Sequence, residues 1–188
     1  MEIKEIEKTE VLKGGEFLVK ETNANDIFIR EEFGEEQMMM LNATEEFSKI
    51  EIKPNIMRFE EKDYALVESL MRKAGQLGLL AVSVPEKYKG LGMGFNTGML
   101  ICEEISSLTG SVATAFGAHT GIGTLPILLY GTEEQKNYYL PKISSGEWIS
   151  CYNLTEPDAG SDANSGKTKA VLTSDGEHYE ITGQKIWI

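Results

Sequence analysis

The stretch CYNLTEPDAGSD, residues 151–162, carries most of the information about this chain. An apolar, strand-like run ends at Thr155, whose hydroxyl can both donate and accept a hydrogen bond. Residues 158–161 then predict a turn of small residues, whose backbone N–H groups can face an anion. The hydroxyls of Thr155 and Ser161 could instead bond only to local backbone, so a plain loop is the alternative.

Composition argues against several classes of partner. The chain has 188 residues and a net charge of −12, without basic runs, so neither nucleic acid nor an anionic membrane is an expected partner. Cys102 and Cys151 lack metal-ligand spacing, and we expect no metal site. Reduced thiols fit a reducing compartment. The Glu-rich start resembles neither a signal nor a transit peptide, so we expect a cytoplasmic protein.

One uncharged run requires a membrane check. No Lys, Arg, Asp or Glu occurs from Ser106 to Thr132, but Ser, Thr and Gly interrupt the run throughout. We therefore expect no membrane span, and interpret the run as a helix buried on all sides of a soluble bundle. Gly117, Gly121 and Gly123 would let neighbouring elements approach it closely.

Hydrophobic spacing predicts helices as far as residue 145. The first predicted helix is 35–52, ended by Pro54, and the second starts at the N-cap Asp63 and carries Leu66, Leu70, Met71, Ala74 and Leu77 on one face. The third runs from the N-cap Asn96 to Leu108, and the fourth is 111–130. The fifth begins with a capping box of Thr132 and Gln135 and stops before Pro141. The stretch GGEFLVKE, residues 14–21, suits a short strand or an extended arm.

The loop VSVPEKYKGLGMG, residues 82–94, is glycine-rich, but it does not match a dinucleotide fingerprint. Phe95 stands where the third Gly of the pattern would be, and no strand precedes the loop. We interpret it as a turn of permissive residues.

The sequence pattern changes from helical to strand-like after Gly146. Residues 147–154 are apolar and aromatic, and 167–174 and 177–182 flank an Asp175-Gly176 hairpin turn. Residues 184–188 suggest the start of another strand. We therefore predict an α+β fold, with an N-terminal all-α helical bundle domain followed by the first strands of a β-barrel-like domain. The predicted divisions are an arm at 1–34, a helical domain at 35–146 and an incomplete β domain at 147–188.

Tyr152–Asp162 closely resembles the signature of the flavin-dependent acyl-CoA dehydrogenases, Tyr-Cys-aliphatic-Thr-Glu-Pro-x-small-Gly-Ser-Asp. Three further segments match family motifs in the same order: VPEKYKGLG (84–92), YGTEEQKNYYLPKISSGE (130–147) and YEITGQKIWI (179–188). The departures are Asn153, Lys89 in place of a Gly, and Thr182 in place of an Asn. GGEFL (14–18) and residues 117–132 look more like the long- and very-long-chain branch.

The resemblance implies a role for each matching residue around FAD. It places Tyr152, Asn153 and Leu154 at the isoalloxazine, and the Thr155 hydroxyl at the polar edge of that ring. It places Ser161 near both the flavin diphosphate and the bound acyl-CoA. Trp187 and Ile188 would flank the flavin.

The same resemblance implies the activity: oxidation of an acyl-CoA thioester to the trans-2-enoyl-CoA in fatty-acid β-oxidation. Electrons would pass to an electron-transfer flavoprotein, and the full-length form would be a homo-oligomer. The catalytic Glu of the family lies in a C-terminal helical domain, so we expect this chain to be a truncated, inactive fragment. We expect no catalytic residue within it, and interpret Glu156 and His119 as structural rather than catalytic.

Two other functions stay open at this stage. One is a related flavoenzyme, such as an acyl-CoA oxidase or a flavin monooxygenase, which an oxygen-consumption assay would distinguish. The other is a non-catalytic helical module for protein–protein association.

Overall fold

A computed structural model describes residue 12 and residues 14–188. Most of the described chain is helical, and one β-hairpin follows the helices. The helices and strands are α1 Glu35–Phe47, α2 Ile56–Glu60, α3 Tyr64–Gln76, α4 Phe95–Ser106, α5 Gly110–Ala118, α6 Leu125–Tyr130, α7 Glu133–Ser144, β1 Lys169–Leu172 and β2 Tyr179–Thr182. Within the described residues, six 3₁₀ turns lie at Glu16–Leu18, Ala24–Asp26, Arg30–Glu32, Lys53–Asn55, Glu86–Tyr88 and Ala163–Ser165.

The helices bury a continuous apolar core. α1 packs on α4, α4 on α5, α2 on α3, and α6 on α7. The buried residues of this core include Phe47, Ile52, Phe59, Leu70, Met71, Leu79, Ile101, Ile105 and Phe116. An α+β fold of mostly helical content, with a small sheet after the bundle, is therefore confirmed.

The local signals at helix starts are partly confirmed. The Asp63 carboxylate accepts a hydrogen bond from Leu66 N at 3.1 Å and starts α3. Thr132 and Gln135 form the expected capping box at α7, with bonds of 3.2 and 2.8 Å. The prediction that Asn96 caps α4 is wrong, because Gly94 is the N-cap. Leu77, expected on the buried face of α3, is 51% exposed.

Two prolines do not end their helices as predicted. Pro54 lies in a 3₁₀ turn, Lys53–Asn55, which continues a π-helical turn, Ser48–Ile52, directly into α2. A proline is tolerated there because it occupies the first positions of a helical turn, where its missing N–H costs little. Pro141 lies inside α7, whose last turn is held by the buried Leu140 and Ile143.

The uncharged run is one long helical stretch rather than a helix buried on all sides. A π-helical turn, His119–Gly123, joins α5 to α6. The stretch Gly110–Tyr130 is long and apolar enough to cross a membrane by length and composition, a test that core helices of soluble proteins also pass. Only 28% of its most apolar window is buried. Of Gly117, Gly121 and Gly123, only Gly123 makes the expected close approach, to Ser150.

The hairpin is formed as predicted. β1 and β2 are antiparallel, with Lys169 opposite Thr182 and Leu172 opposite Tyr179. Gly176 takes the positive φ, 76°, that the turn requires. Residues 147–154 and 184–188 form no strand, contrary to prediction. A strand needs a ladder of backbone partners, and within the described residues the second of these segments makes one such bond, from Ile186 N to the Thr155 carbonyl. In the described part of the arm, Glu16–Leu18 is a 3₁₀ turn rather than a strand.

In the loop at residues 82–94, Gly90 has no room for a side chain, and Lys89 has a strained backbone conformation. A side chain at Gly90 would overlap the Val84 carbonyl. Lys89 has a φ of 65°, in the left-handed region that disfavours residues with a Cβ. Lys89 is also the position at which the related motif carries glycine.

We predict that Lys89→Gly stabilises the protein. Relief of the left-handed strain, about 1–2 kcal/mol, exceeds the added chain entropy of glycine, about 0.5–1 kcal/mol. Urea unfolding should therefore show a gain in the free energy of unfolding of about 0.5–1 kcal/mol. Lys89→Ala removes the same side chain but keeps the Cβ, and should give no gain. An equal gain in both variants would show that the lysine side chain, and not the backbone, is the source of strain.

Candidate functional site

The two segments expected to contact the flavin lie side by side. Ile186 N donates to the Thr155 carbonyl at 3.0 Å, and Lys185 Nζ donates to the Leu154 carbonyl at 2.9 Å. These bonds span 31 residues of sequence. They bring residues 152–155 next to residues 185–188, which is the arrangement that the resemblance requires. That these residues bind FAD stays a prediction.

Residues 152–155 form an exposed surface that carries the Thr155 hydroxyl. Tyr152 and Leu154 are exposed large side chains, and the Thr155 side chain is half-buried. The Thr155 hydroxyl has no hydrogen-bond partner among the described residues. Asn153 accepts a weak contact from the Cys151 thiol at 3.8 Å. This surface suits a flat, mainly apolar ligand with a polar edge.

The turn after Glu156 is tighter than the sequence suggests. Glu156 and Ala159 exchange both backbone hydrogen bonds, each 3.1 Å, so the Ala159 N–H is not available to an anion. The N–H groups of Gly160 and Ser161 have no partner within residues 14–188. Ser161 is exposed and makes no hydrogen bond to Thr155 or to residues 185–188. Of the turn residues expected to face an anion, Gly160 and Ser161 therefore keep backbone N–H groups without a partner among the described residues.

Trp187 and Ile188 are directed away from the protein. Trp187 is 90% exposed and has a φ of 59°, which is unusual for a bulky residue. Ile188 is 71% exposed. The left-handed turn at Trp187 explains why these residues do not continue a strand. They directly follow Ile186, whose N–H bonds to the Thr155 carbonyl.

Glu156 is a buried carboxylate with its hydrogen-bonding capacity fully used. It is 6% exposed, and it accepts bonds from Lys167 N at 2.5 Å, Thr168 N at 3.1 Å and Lys185 Nζ at 2.8 Å. The hydrogen bond from Lys185, followed by those from Thr168 and Lys167, lowers its pKa from 4.5 to about 2. A carboxylate so weakly basic, with no free lone pair facing a ligand, is a poor proton acceptor. The structural interpretation of Glu156 is therefore supported.

Lys185 is the site residue that reasoning from the sequence missed. Its ammonium group joins the Leu154 carbonyl to the Glu156 carboxylate. The available signal was its place in the family motif GQKIWI, where it stands two residues before Trp187. Its partners, 29 and 31 residues away, cannot be recognised from sequence spacing.

His119 links the helical part of the chain to this surface. Its ring is fully buried, and Nδ1 accepts from Ser150 N at 3.1 Å, so Nε2 carries the proton and donates to the Ile143 carbonyl at 3.1 Å. Burial lowers the pKa of His119, and the hydrogen bond to Ile143 opposes that shift only in part. A neutral imidazole with both nitrogens occupied supports the structural interpretation.

An apolar cavity of about 270 Å³ lies between α4, α5 and the segment 79–84. Gly117 and Gly121 open into free space there, which explains why they make no close approach. Its other lining residues include Leu79, Val82, Met99, Phe116, Leu125 and Leu128. The described residues contain no group of three or more His, Cys, Asp and Glu side chains that could hold a metal.

We predict that the stability contributed by Glu156 depends on acid pH. Because its folded-state pKa is lowered, this contribution is complete above pH 4.5 and is lost as the pH falls toward about 2. Glu156→Gln should therefore lower the unfolding midpoint most at neutral pH, with the deficit shrinking from pH 5 to pH 2.5.

Thermal melts across this pH range measure the effect. Glu180→Gln, on the exposed face of β2, is the control for losing a carboxylate. A deficit of the Glu156 variant that stays constant down to pH 2.5 would contradict the role of ionisation.

Comparisons with known proteins agree with the motifs. The model of the acyl-CoA dehydrogenase N-terminal domain matches residues 34–147, and that of the middle domain matches residues 151–188. A probable acyl-CoA dehydrogenase of Bacillus subtilis is 44% identical over 95% of this chain and 30% of its own length. Isovaleryl-CoA dehydrogenase of Bos taurus is 36% identical over 82% of this chain and 36% of its own length.

Solved structures show the same relationship. The acyl-CoA dehydrogenase of Bacillus anthracis, crystallised with FAD, aligns with a TM-score of 0.86 at 43% identity, over 92% of this chain and 30% of that one. This chain thus spans about a third of the length of these relatives. The family uses FAD as its cofactor. Since family models match both the helical part and the segment with the expected flavin residues, the chain belongs to the acyl-CoA dehydrogenase family.

Proposed function

We propose that the protein acts as an FAD-dependent acyl-CoA dehydrogenase, which converts an acyl-CoA thioester to the trans-2-enoyl-CoA in fatty-acid β-oxidation. Residues 151–162 and 185–188 would form part of its flavin site. The proposal follows from membership of the family and from the geometry of these two segments.

The observation that carries the proposal is the backbone bond between Ile186 N and the Thr155 carbonyl. It brings the segment with the Thr155 hydroxyl, which has no partner among the described residues, and with the exposed Tyr152 and Leu154 next to Ile186, the residue before the exposed Trp187. A flat heterocycle needs apolar contact with its ring and a few placed polar groups at its edge. The residues present therefore fit an isoalloxazine.

Each residue has a specific task at this surface. Bound FAD supplies the two-electron acceptor for the reaction. Tyr152, Leu154 and Trp187 would exclude water from the ring. Thr155 would donate to, or accept from, the polar edge of the ring. The free N–H groups of Gly160 and Ser161 would face the diphosphate, with the Ser161 hydroxyl near the bound acyl-CoA.

The proton acceptor is proposed to come from outside these 188 residues. Glu156, the acid nearest in sequence to Thr155, is buried and fully hydrogen-bonded. The resemblance assigns the base to a C-terminal helical domain. These residues alone are therefore expected to support no turnover of acyl-CoA.

Partners and location belong to the same proposal. The electron acceptor would be an electron-transfer flavoprotein; an electron transferring flavoprotein of Acidaminococcus fermentans is among the structural relatives, with a TM-score of 0.73 at 32% identity. The enzyme would be a cytoplasmic homo-oligomer. The relatives do not confirm a long-chain preference, because isovaleryl-CoA and short-chain-specific enzymes both occur among them. The apolar cavity between α4 and α5 offers space for an apolar group of the substrate.

We predict that Thr155→Val weakens FAD binding. Loss of one hydrogen bond, worth about 0.5–1.5 kcal/mol, should raise the FAD dissociation constant by about 2- to 12-fold. Titration of the apoprotein, followed by quenching of flavin fluorescence, measures this change. Thr182→Val, the same substitution on exposed strand β2, should leave the affinity unchanged. Equal affinities of the Thr155 variant and wild type would remove Thr155 from the site.

A further inference from the structure

Lys185 and Glu156 form a buried link that ties three separate parts of the chain together. The Glu156 carboxylate holds the backbone N–H groups of Lys167 and Thr168, which lead directly into β1. The same carboxylate holds the Lys185 ammonium group at 2.8 Å. The side chain of Lys185 is 29% exposed, and that of Glu156 is 6% exposed. The pair is therefore largely withdrawn from solvent.

The second hydrogen bond of Lys185 connects this link to the segment 152–155. Lys185 Nζ donates to the Leu154 carbonyl at 2.9 Å, one residue before the carbonyl that accepts from Ile186 N. Two successive carbonyls of one segment are thus bound to two successive residues of the other. This alignment of the two segments sets the relative positions of the side chains of Leu154, Thr155 and Trp187.

We propose that Lys185 and Glu156 are positioning residues of the flavin site, which set the separation between residues 152–155 and residues 185–188. The inference rests on the proposed function, because it requires FAD to contact both segments. Neither side chain needs to touch the cofactor. Glu156 fixes the Lys185 ammonium group, and Lys185 fixes the Leu154 carbonyl, so that the Thr155 hydroxyl meets the edge of the ring.

Replacing Lys185 is a selective way to test this role. Lys185→Met keeps the aliphatic length of the side chain but removes both donated bonds. Glu156 retains its bonds from Lys167 N and Thr168 N, which support the start of the hairpin. The loss is therefore concentrated on the Leu154 carbonyl and on residues 185–188. Charge-assisted hydrogen bonds are stronger than neutral ones, so the expected rise in the FAD dissociation constant is about 10- to 100-fold.

The measurement combines affinity with a spectroscopic signature. Apoprotein is titrated with FAD at a temperature well below its melting point, and the visible circular dichroism of the bound flavin is recorded at saturation. A purely structural role would lower the melting temperature but leave the spectrum of bound flavin unchanged. Lys169→Met, in exposed strand β1, makes the same charge change at a side chain that forms no hydrogen bond within the described residues, and should match wild type in both readouts.

Lys185→Arg tests geometry separately from charge, and remains informative if Lys185→Met does not fold. A planar guanidinium keeps the charge but cannot place one nitrogen on both partners in the same way. We expect a smaller loss of affinity, about 3- to 10-fold, with an altered flavin spectrum. Unchanged affinity and spectrum in either folded variant would overturn the positioning role. Failure of the wild-type protein to bind FAD would instead overturn the proposed function, and this inference with it.

Discussion

The buried carboxylate of Glu156 is the constraint on which the site depends. A buried charge without partners costs several kcal/mol, so the chain around it must supply donors. Here two backbone N–H groups and one ammonium group meet that requirement. In doing so they join the turn after Thr155, the start of the hairpin and the segment before Trp187. A single acid thus determines where three pieces of irregular chain lie.

A second buried polar group connects this arrangement to the helices. The helix opens into a π-turn at His119, whose carbonyl accepts hydroxyl bonds from Thr124 at 2.6 Å and Ser150 at 3.0 Å. The imidazole accepts the Ser150 N–H as well, and Gly123 leaves room for that residue. Because Ser150 lies two residues before Tyr152, the apolar helix and the proposed flavin surface are held together at one point. π-turns often occur at functional sites, and this one forms where the two parts of the chain meet.

Features fixed by neighbouring residues could be predicted from the sequence, and features fixed by distant partners could not. The caps at Asp63 and Thr132 and the turn at Asp175-Gly176 depend on bonds within a few residues, and they are formed as predicted. Pro141 stays within its helix because tertiary burial of its neighbours outweighs one lost backbone bond. Residues 147–154 and 184–188 have strand-like composition, but composition does not supply the neighbouring strand that a ladder needs. The motif predicts residues 152–155 and 187–188 as flavin contacts, whereas the bonds of Lys185 to Leu154 and Glu156 are visible only in three dimensions.

Hydrogen exchange of three backbone amides tests most directly whether Glu156 organises the site as one unit. Lys167 N and Thr168 N bond to Glu156 itself, whereas Ile186 N bonds to Thr155, the residue before Glu156, and makes no hydrogen bond to the Glu156 carboxylate. Exchange is measured by NMR in the wild-type protein and in Glu156→Gln, under conditions in which both are folded. The account predicts that all three amides lose protection together in the variant. Retained protection at Ile186, with loss at Lys167 and Thr168, would contradict it.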